Sequence, residues 1–234
     1  PWPCACAPTA RTPRPWPSGS RRIRLIATCP GAVHALDPSA VPAAQELLDR
    51  VLEELRGIAG HEVGAGSVRR PDGVVVALDR GAPLLTLGRL VQEDFCILER
   101  RGAEHVMTGA ILCFPASWTL SEKMLRPLSL IHGPVAAYDE DLRRRVQRLL
   151  DAIRPEQPLW RANALRYDSS DLHHPRREAA PRVESGAPQW LRSERQTLLR
   201  LVASDAVVFS IHTYLLRLSD LAPADLDGLA EHRG

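Results

Sequence analysis

Residues 92–114 read QEDFCILERRGAEHVMTGAILCF, two apolar stretches on either side of a charged knot. Gln92 to Leu98 carries the aromatic and branched residues of a strand, and Arg100 to Glu104 is a polar turn centred on Gly102. Residues 105–114 read as the returning strand, ended by Pro115. The predicted hairpin is the seed of an antiparallel sheet. Ala206–Leu218, AVVFSIHTYLLRL, is the strongest strand signal in the chain. Trp160–Tyr167 reads as a shorter strand, and Val74–Asp79 as another after the Pro-Asp-Gly turn at 71–73.

The helical signals lie around these strands. In residues 41–59, Val41, Ala44, Leu47, Leu48, Val51, Leu52, Leu55 and Ile58 recur at three- and four-residue steps, and Gly60 follows. Asp139–Ile153 repeats the pattern with Leu142, Val146, Leu149, Leu150 and Ile153 on one face and four arginines on the other. Ser117 or Thr119 caps a third predicted helix that runs to about Ile131, disturbed by Pro127 and stopped by Gly133-Pro134. Leu191–Leu201 is predicted as a fourth. Helices and strands in runs predict an α+β fold.

The chain has 234 residues, with 30 Lys and Arg against 28 Asp and Glu, and Lys123 is the only lysine. The excess of positive charge sits in residues 1–24, which hold five arginines, six prolines and no acid. That segment is read as a disordered extension, outside the fold. The rest is mildly acidic and offers no electrostatic footprint for nucleic acid. No apolar run reaches the ~20 residues of a membrane span. The five cysteines are an odd number at wide spacings, so neither a disulfide framework nor a zinc pattern is expected. A cytoplasmic protein is the expectation.

No nucleophile elbow, phosphate-binding loop or metalloprotease helix occurs. Among eight histidines two stand out. His132 ends the apolar run LRPLSLIH before the Gly-Pro break, and His212 lies inside AVVFSIHTY. Each is either a hydrogen-bonded core imidazole or a ligand to haem iron. Cys96 and Cys113 lie in strand interiors, where inert packing is the ordinary role.

VQEDFCILE, TGAILCFPASWTLSEKMLRPLSLIHGPVAAYDE, PLWRAN and LRSERQTLLRL…AVVFSIHTYLLRL follow one another in order. Together they resemble the haem-dependent oxidative N-demethylase alpha-subunit-like family, over roughly residues 73–220. The most specific part runs from Cys113 to Tyr138. The resemblance implies a PAS-like antiparallel sheet with flanking helices and a bound haem b. It implies oxidation of a small secondary amine, with dimethylamine as the model substrate. Electrons would come from NADPH through a reductase subunit carrying FMN and an iron–sulfur cluster. A folate-dependent subunit with tetrahydrofolate would take the formaldehyde.

On this resemblance His132, matching the family's I-H-x-P-V histidine, is the expected metal ligand. Arg126 and Lys123 are expected at the haem propionates, and Trp118 at the cofactor wall with Phe95, Ile111, Phe114, Phe209 and Ile211. His212 and Tyr214 share a strand face and are the expected catalytic groups on the oxygen side. Glu194 either accepts an amine N–H or pairs with Arg192 or Arg195. Cys113 is the next candidate for iron. Leu125 stands where the family pattern has glycine, and Val202 where it has proline. The domain is assigned to residues 41–222, with 223–234 as a C-terminal tail. Two other functions are consistent with these residues: a haem-binding PAS-type gas or redox sensor without turnover, and a haem-free PAS-like interaction module.

Overall fold

The structure, a computed structural model, describes residues 17–131, 139–181 and 188–222. It opens with helix α1 (Pro17–Thr28), a short α2 (Pro30–Val33), strand β1 (His34–Leu36) and α3 (Val41–Arg56). Strands β2 (Glu62–Val63), β3 (Ser67–Arg69) and β4 (Val75–Ala77) form a small meander, and α4 (Pro83–Leu90) follows. Then come β5 (Asp94–Arg101), β6 (Glu104–Ile111), α5 (Leu128–Ile131), α6 (Glu140–Ala152), β7 (Leu159–Tyr167), β8 (Trp190–Arg200) and β9 (Val207–Arg217). The main sheet is antiparallel, in the order β1-β6-β5-β9-β8-β7. This is an α+β fold. Among the described residues no helix is long and apolar enough to cross a membrane.

The Gly102 hairpin forms as expected: Gly102 takes φ 67° and joins β5 to β6. The α3 periodicity also holds, and its seven buried side chains are all apolar. Asp139 caps α6 by accepting from the Leu142 amide at 2.8 Å.

Three expectations are corrected. Residues 17–24 are not part of a disordered extension: α1 runs through them, and Arg22 is buried in the core. Residues 1–16 and the tail at 223–234 lie outside the described residues. The helix expected from Ser117 or Thr119 to Ile131 is instead a 3-10 turn at Leu120–Glu122 and the single-turn α5. Between them the backbone turns along β6. The Leu125 amide donates to the Met107 carbonyl at 2.8 Å, the Met107 amide donates to the Arg126 carbonyl at 3.2 Å, and Leu125 takes φ 58°. That left-handed conformation favours glycine, the residue the family pattern has there. Finally, Leu191–Leu201 is not a helix. Trp190–Arg200 is a central strand paired along its whole length with β7 and β9, because tertiary pairing on both sides overrides local preference.

The sheet has two unlike faces. Phe95, Ile97, Ile111, Leu199 and Val208 face α1, α3 and α4 in the larger core. This first face packs closely: a Cβ on Gly88 of α4 would lie 2.7 Å from Ile111 and 2.9 Å from Ile26. Cys96, Leu98, Ala110, Leu112 and Val207 face the other way. They pack with Leu120, Leu128, Ile131, Val146, Leu150, Ile153, Trp118 and Phe209 in a smaller second core.

Candidate functional site

On the first face His212 is buried, and its Nδ1 lies 3.1 Å from Glu93 Oε1. Burial pushes the Glu93 carboxyl up. The hydrogen bond and charge of His212, a backbone hydrogen bond and the charge of Arg22 outweigh burial and hold it below the usual carboxylate range. Tyr214, two residues on, stacks at 4.4 Å between ring centroids, so these two predicted residues do meet. Glu93 lies beside Val91, Phe95 and the end of α3.

Next to it, at the start of β5, Asp94 collects charge and amides. Arg22 donates to Asp94 Oδ1 at 2.8 Å, and to the carbonyls of Glu93, Gln92 and Gly88 at 2.7, 3.0 and 3.2 Å. The amides of Cys113 and Phe114 each donate to Asp94 at 2.8 Å. These bonds tie α1 to α4 and to the start of β5, and the start of β5 to the chain just after β6, so this cluster is structural.

Glu194 lies on the second face. In the β8–β9 register it stands opposite Thr213, whereas His212 stands opposite Arg195. Paired residues share a face and neighbours along a strand alternate. The structure therefore separates Glu194 from His212 and Tyr214 by the thickness of the sheet. Glu194 is buried, its Oε1 accepts from Arg192 Nε at 3.1 Å, and its Oε2 accepts from Gln196 Nε2 at 3.0 Å. Arg192 is fully buried and donates onward to the carbonyls of Leu172 at 2.9 Å and Phe114 at 2.5 Å. Thr213 Oγ1, directly across from Glu194, is buried and has no partner among the described residues.

The other predicted residues divide between the faces. Trp118, half-buried, and Phe209 pack in the second core, while Phe95, Ile111 and Phe114 belong to the first. Lys123 donates to Glu178 Oε1 at 2.5 Å and to the Ile131 carbonyl at 2.6 Å, and Arg126 lies 3.8 Å from Glu178 Oε2. Both cations thus converge on one carboxylate. His132 lies outside the described residues, but Ile131 before it packs on the second core.

The thiols do not suit iron. Burial raises Cys96 above the ordinary thiol range; burial and Asp94 push Cys113 up to about 12 against the opposing charge of Arg22. Both stay protonated at neutral pH. A cavity of about 330 Å³ lies near the Arg200 end of β8, between Glu46, Arg50, Pro155, Glu156 and Leu199. It offers no imidazole, thiolate or phenolate.

Sequence reading missed Glu93, Arg22, Gln196 and Thr213. A signal was present for the first: Glu93-Asp94 is an acidic pair at the mouth of an apolar strand, and buried acids require partners. The second face, by contrast, joins an apolar wall to a buried carboxylate held at both oxygens and an unpartnered hydroxyl. The model of the family "haem-dependent oxidative N-demethylase, alpha subunit-like" matches residues 18–231, all of the elements described above but the first residue of α1, and the chain belongs to that family.

Proposed function

We propose that this chain is the haem-binding subunit of an oxidative N-demethylase acting on a small secondary amine such as dimethylamine. The observation that carries the reading is the Arg192–Glu194–Gln196 array on the second face, beside the unpartnered Thr213 hydroxyl. A secondary amine is a cation at neutral pH. It needs a carboxylate to accept its N–H groups and apolar walls for its methyl groups. Glu194 supplies the first, and Ile211 and Phe209 supply the second. Arg192 and Gln196 hold the carboxylate in one orientation, so its position is set before the amine arrives.

The residues fit a haem on this side of the sheet. The wall of Ala110, Leu112, Trp118 and Phe209 is apolar, and the chain leaves Ile131 toward His132 from this core. His132 would hold the iron. Lys123 and Arg126 would hold the propionates in exchange for Glu178, one carboxylate replacing another. Haem, when bound, supplies oxygen activation and the oxidising power for the amine. The central β5–β9 pairing of the first and last strands in the order β6-β5-β9-β8-β7 supports a PAS-like reading of the sheet. His212 and Tyr214 stand behind β9 and act as positioning residues. Oxygen, electrons from an NADPH-dependent flavin and iron–sulfur subunit, and a folate-dependent subunit complete the proposed reaction.

The test is an absorption spectrum after haem reconstitution, then amine-dependent oxygen uptake and formaldehyde release with a competent electron donor. His132→Ala should lose imidazole ligation, and added imidazole should partly restore it. A Soret band without amine-dependent uptake would favour the sensor. No Soret band at all would leave the haem-free interaction module.

A further inference from the structure

Strand β7 reads LWRANALRY from Leu159 to Tyr167 and ends the main sheet. Among the described residues it pairs with β8 alone. Free edges in natural sheets are usually short, bulged or covered, but this one is nine residues long and regular. Its large apolar side chains face solvent: Trp160 is 62% exposed, Leu165 52% and Leu159 41%.

The sequence of this edge is complementary to itself. Reversing the strand about its central residue, Asn163, sets Leu159 opposite Tyr167, Trp160 opposite Arg166, Arg161 opposite Leu165, and Ala162 opposite Ala164. Asn163 meets its own copy. This is the antiparallel register that overlaps all nine residues, and no arginine faces an arginine in it. Trp160 and Arg166 are a favourable aromatic–cation pair, made twice by symmetry. The small alanines let the two backbones approach.

The backbone is oriented for the same pairing. Ser193 Oγ of β8 donates to the Asn163 carbonyl at 3.0 Å, so that carbonyl faces inward. By the alternation of an antiparallel ladder, the N–H and C=O groups of Ala162 and Ala164 face outward. They are the groups that must exchange hydrogen bonds if Ala162 of one copy lies opposite Ala164 of another.

We propose that β7 is a homodimerisation edge, joining two copies of this chain into one continuous twelve-stranded sheet (two six-stranded sheets) about a two-fold axis at Asn163. An isologous contact of this kind closes on itself and does not propagate into fibres. The inference is independent of the haem reading.

Sedimentation of the full chain should show a dimer. Asn163→Cys should form an intermolecular disulfide under mild oxidation, because a residue on the axis meets its own copy within disulfide reach. Leu159→Cys should crosslink no more than the unaltered chain, whose own thiols set the background. Trp160→Arg places like charges opposite each other twice and should weaken association by about tenfold or more. Adding Arg166→Glu to it should restore the dimer, which separates a lost contact from a misfolded strand. A monomeric unaltered chain would overturn the proposal. So would a dimer indifferent to Trp160→Arg, preferential crosslinking through Leu159→Cys, or a different subunit seated on this edge.

Discussion

The two faces of the main sheet carry buried charge in different ways. On the first face, Arg22 is spread over one carboxylate and three carbonyls, and Glu93 Oε1 bonds His212 under a closely packed core. On the second, the covering chain is irregular, with a 3-10 turn, a left-handed Leu125 and a one-turn helix. There, among the described residues, Thr213 Oγ1 has no partner opposite a fixed carboxylate. The contrast sets a face tied together by the bonds of Arg22 and Asp94 against one where the Thr213 hydroxyl keeps the capacity that the proposed amine site would use.

The strongest way to break this comparison is Arg22→Ala. It leaves Asp94 buried without its cation and should cost about 3–5 kcal/mol in denaturant unfolding. A loss under about 1 kcal/mol would show that α1 is not part of the stabilising face. Glu194→Gln should act on chemistry: about a hundredfold fall in kcat/KM for the amine, equivalent to ~2.7 kcal/mol, with the haem spectrum unchanged. Full activity in this variant would remove Glu194 from the amine site.

A third test sharpens the electrostatics of the first face. The Glu93 carboxyl is held below its unfolded value, so its contribution is complete above the ordinary glutamate pKa of about 4.3. It is lost as pH falls through the depressed folded value. Glu93→Gln should therefore lower the melting temperature at pH 7 and flatten its decline on acidification. An equally steep acid limb in both proteins would show that Glu93 and His212 are not coupled. The smallest effect expected is from Leu125→Gly on the second face. It relieves a left-handed residue whose side chain is largely exposed, with an expected gain of up to about 1 kcal/mol in thermal unfolding. Destabilisation instead would mean that the Leu125 side chain has a docking role.

Much of the frame was legible from residues alone. The Gly102 hairpin, α3, α6 and β9 carry strong periods or turn signals, and they appear where those signals place them. Strand β8 was hidden because it is covered on both faces. Leu191, Leu198, Leu199 and Leu201 fall at helix-like intervals, and a buried Arg192–Glu194 pair occupies positions where a strand pattern expects apolar side chains. Helix α1 was hidden for a related reason: its anchor is an arginine, and the bonds that bury it go to residues some seventy positions away. Alternation alone put His212 and Tyr214 on one face. Placing Glu194 on the other needed the register with Thr213, which follows only once β8 is known to be a strand.

The central position of β9 has a consequence for the order in which the molecule assembles. β9 is the last of the described strands, yet it lies between β5 and β8. As synthesis proceeds, the tight β5–β6 hairpin and the β7–β8 pair, joined by the longer connection 168–189, both emerge before β9. They have no contact within the sheet until residues 207–217 arrive to join them. Through that interval the β5 and β8 edges are both open, the first lined by Phe95, Cys96, Ile97 and Leu98 and the second carrying the Arg192–Glu194 pair. Closing the sheet is then a long-range step, slow by the logic of contact order and exposed to wrong pairing. The nascent chain most in need of a chaperone is therefore one in which β8 has emerged and β9 has not.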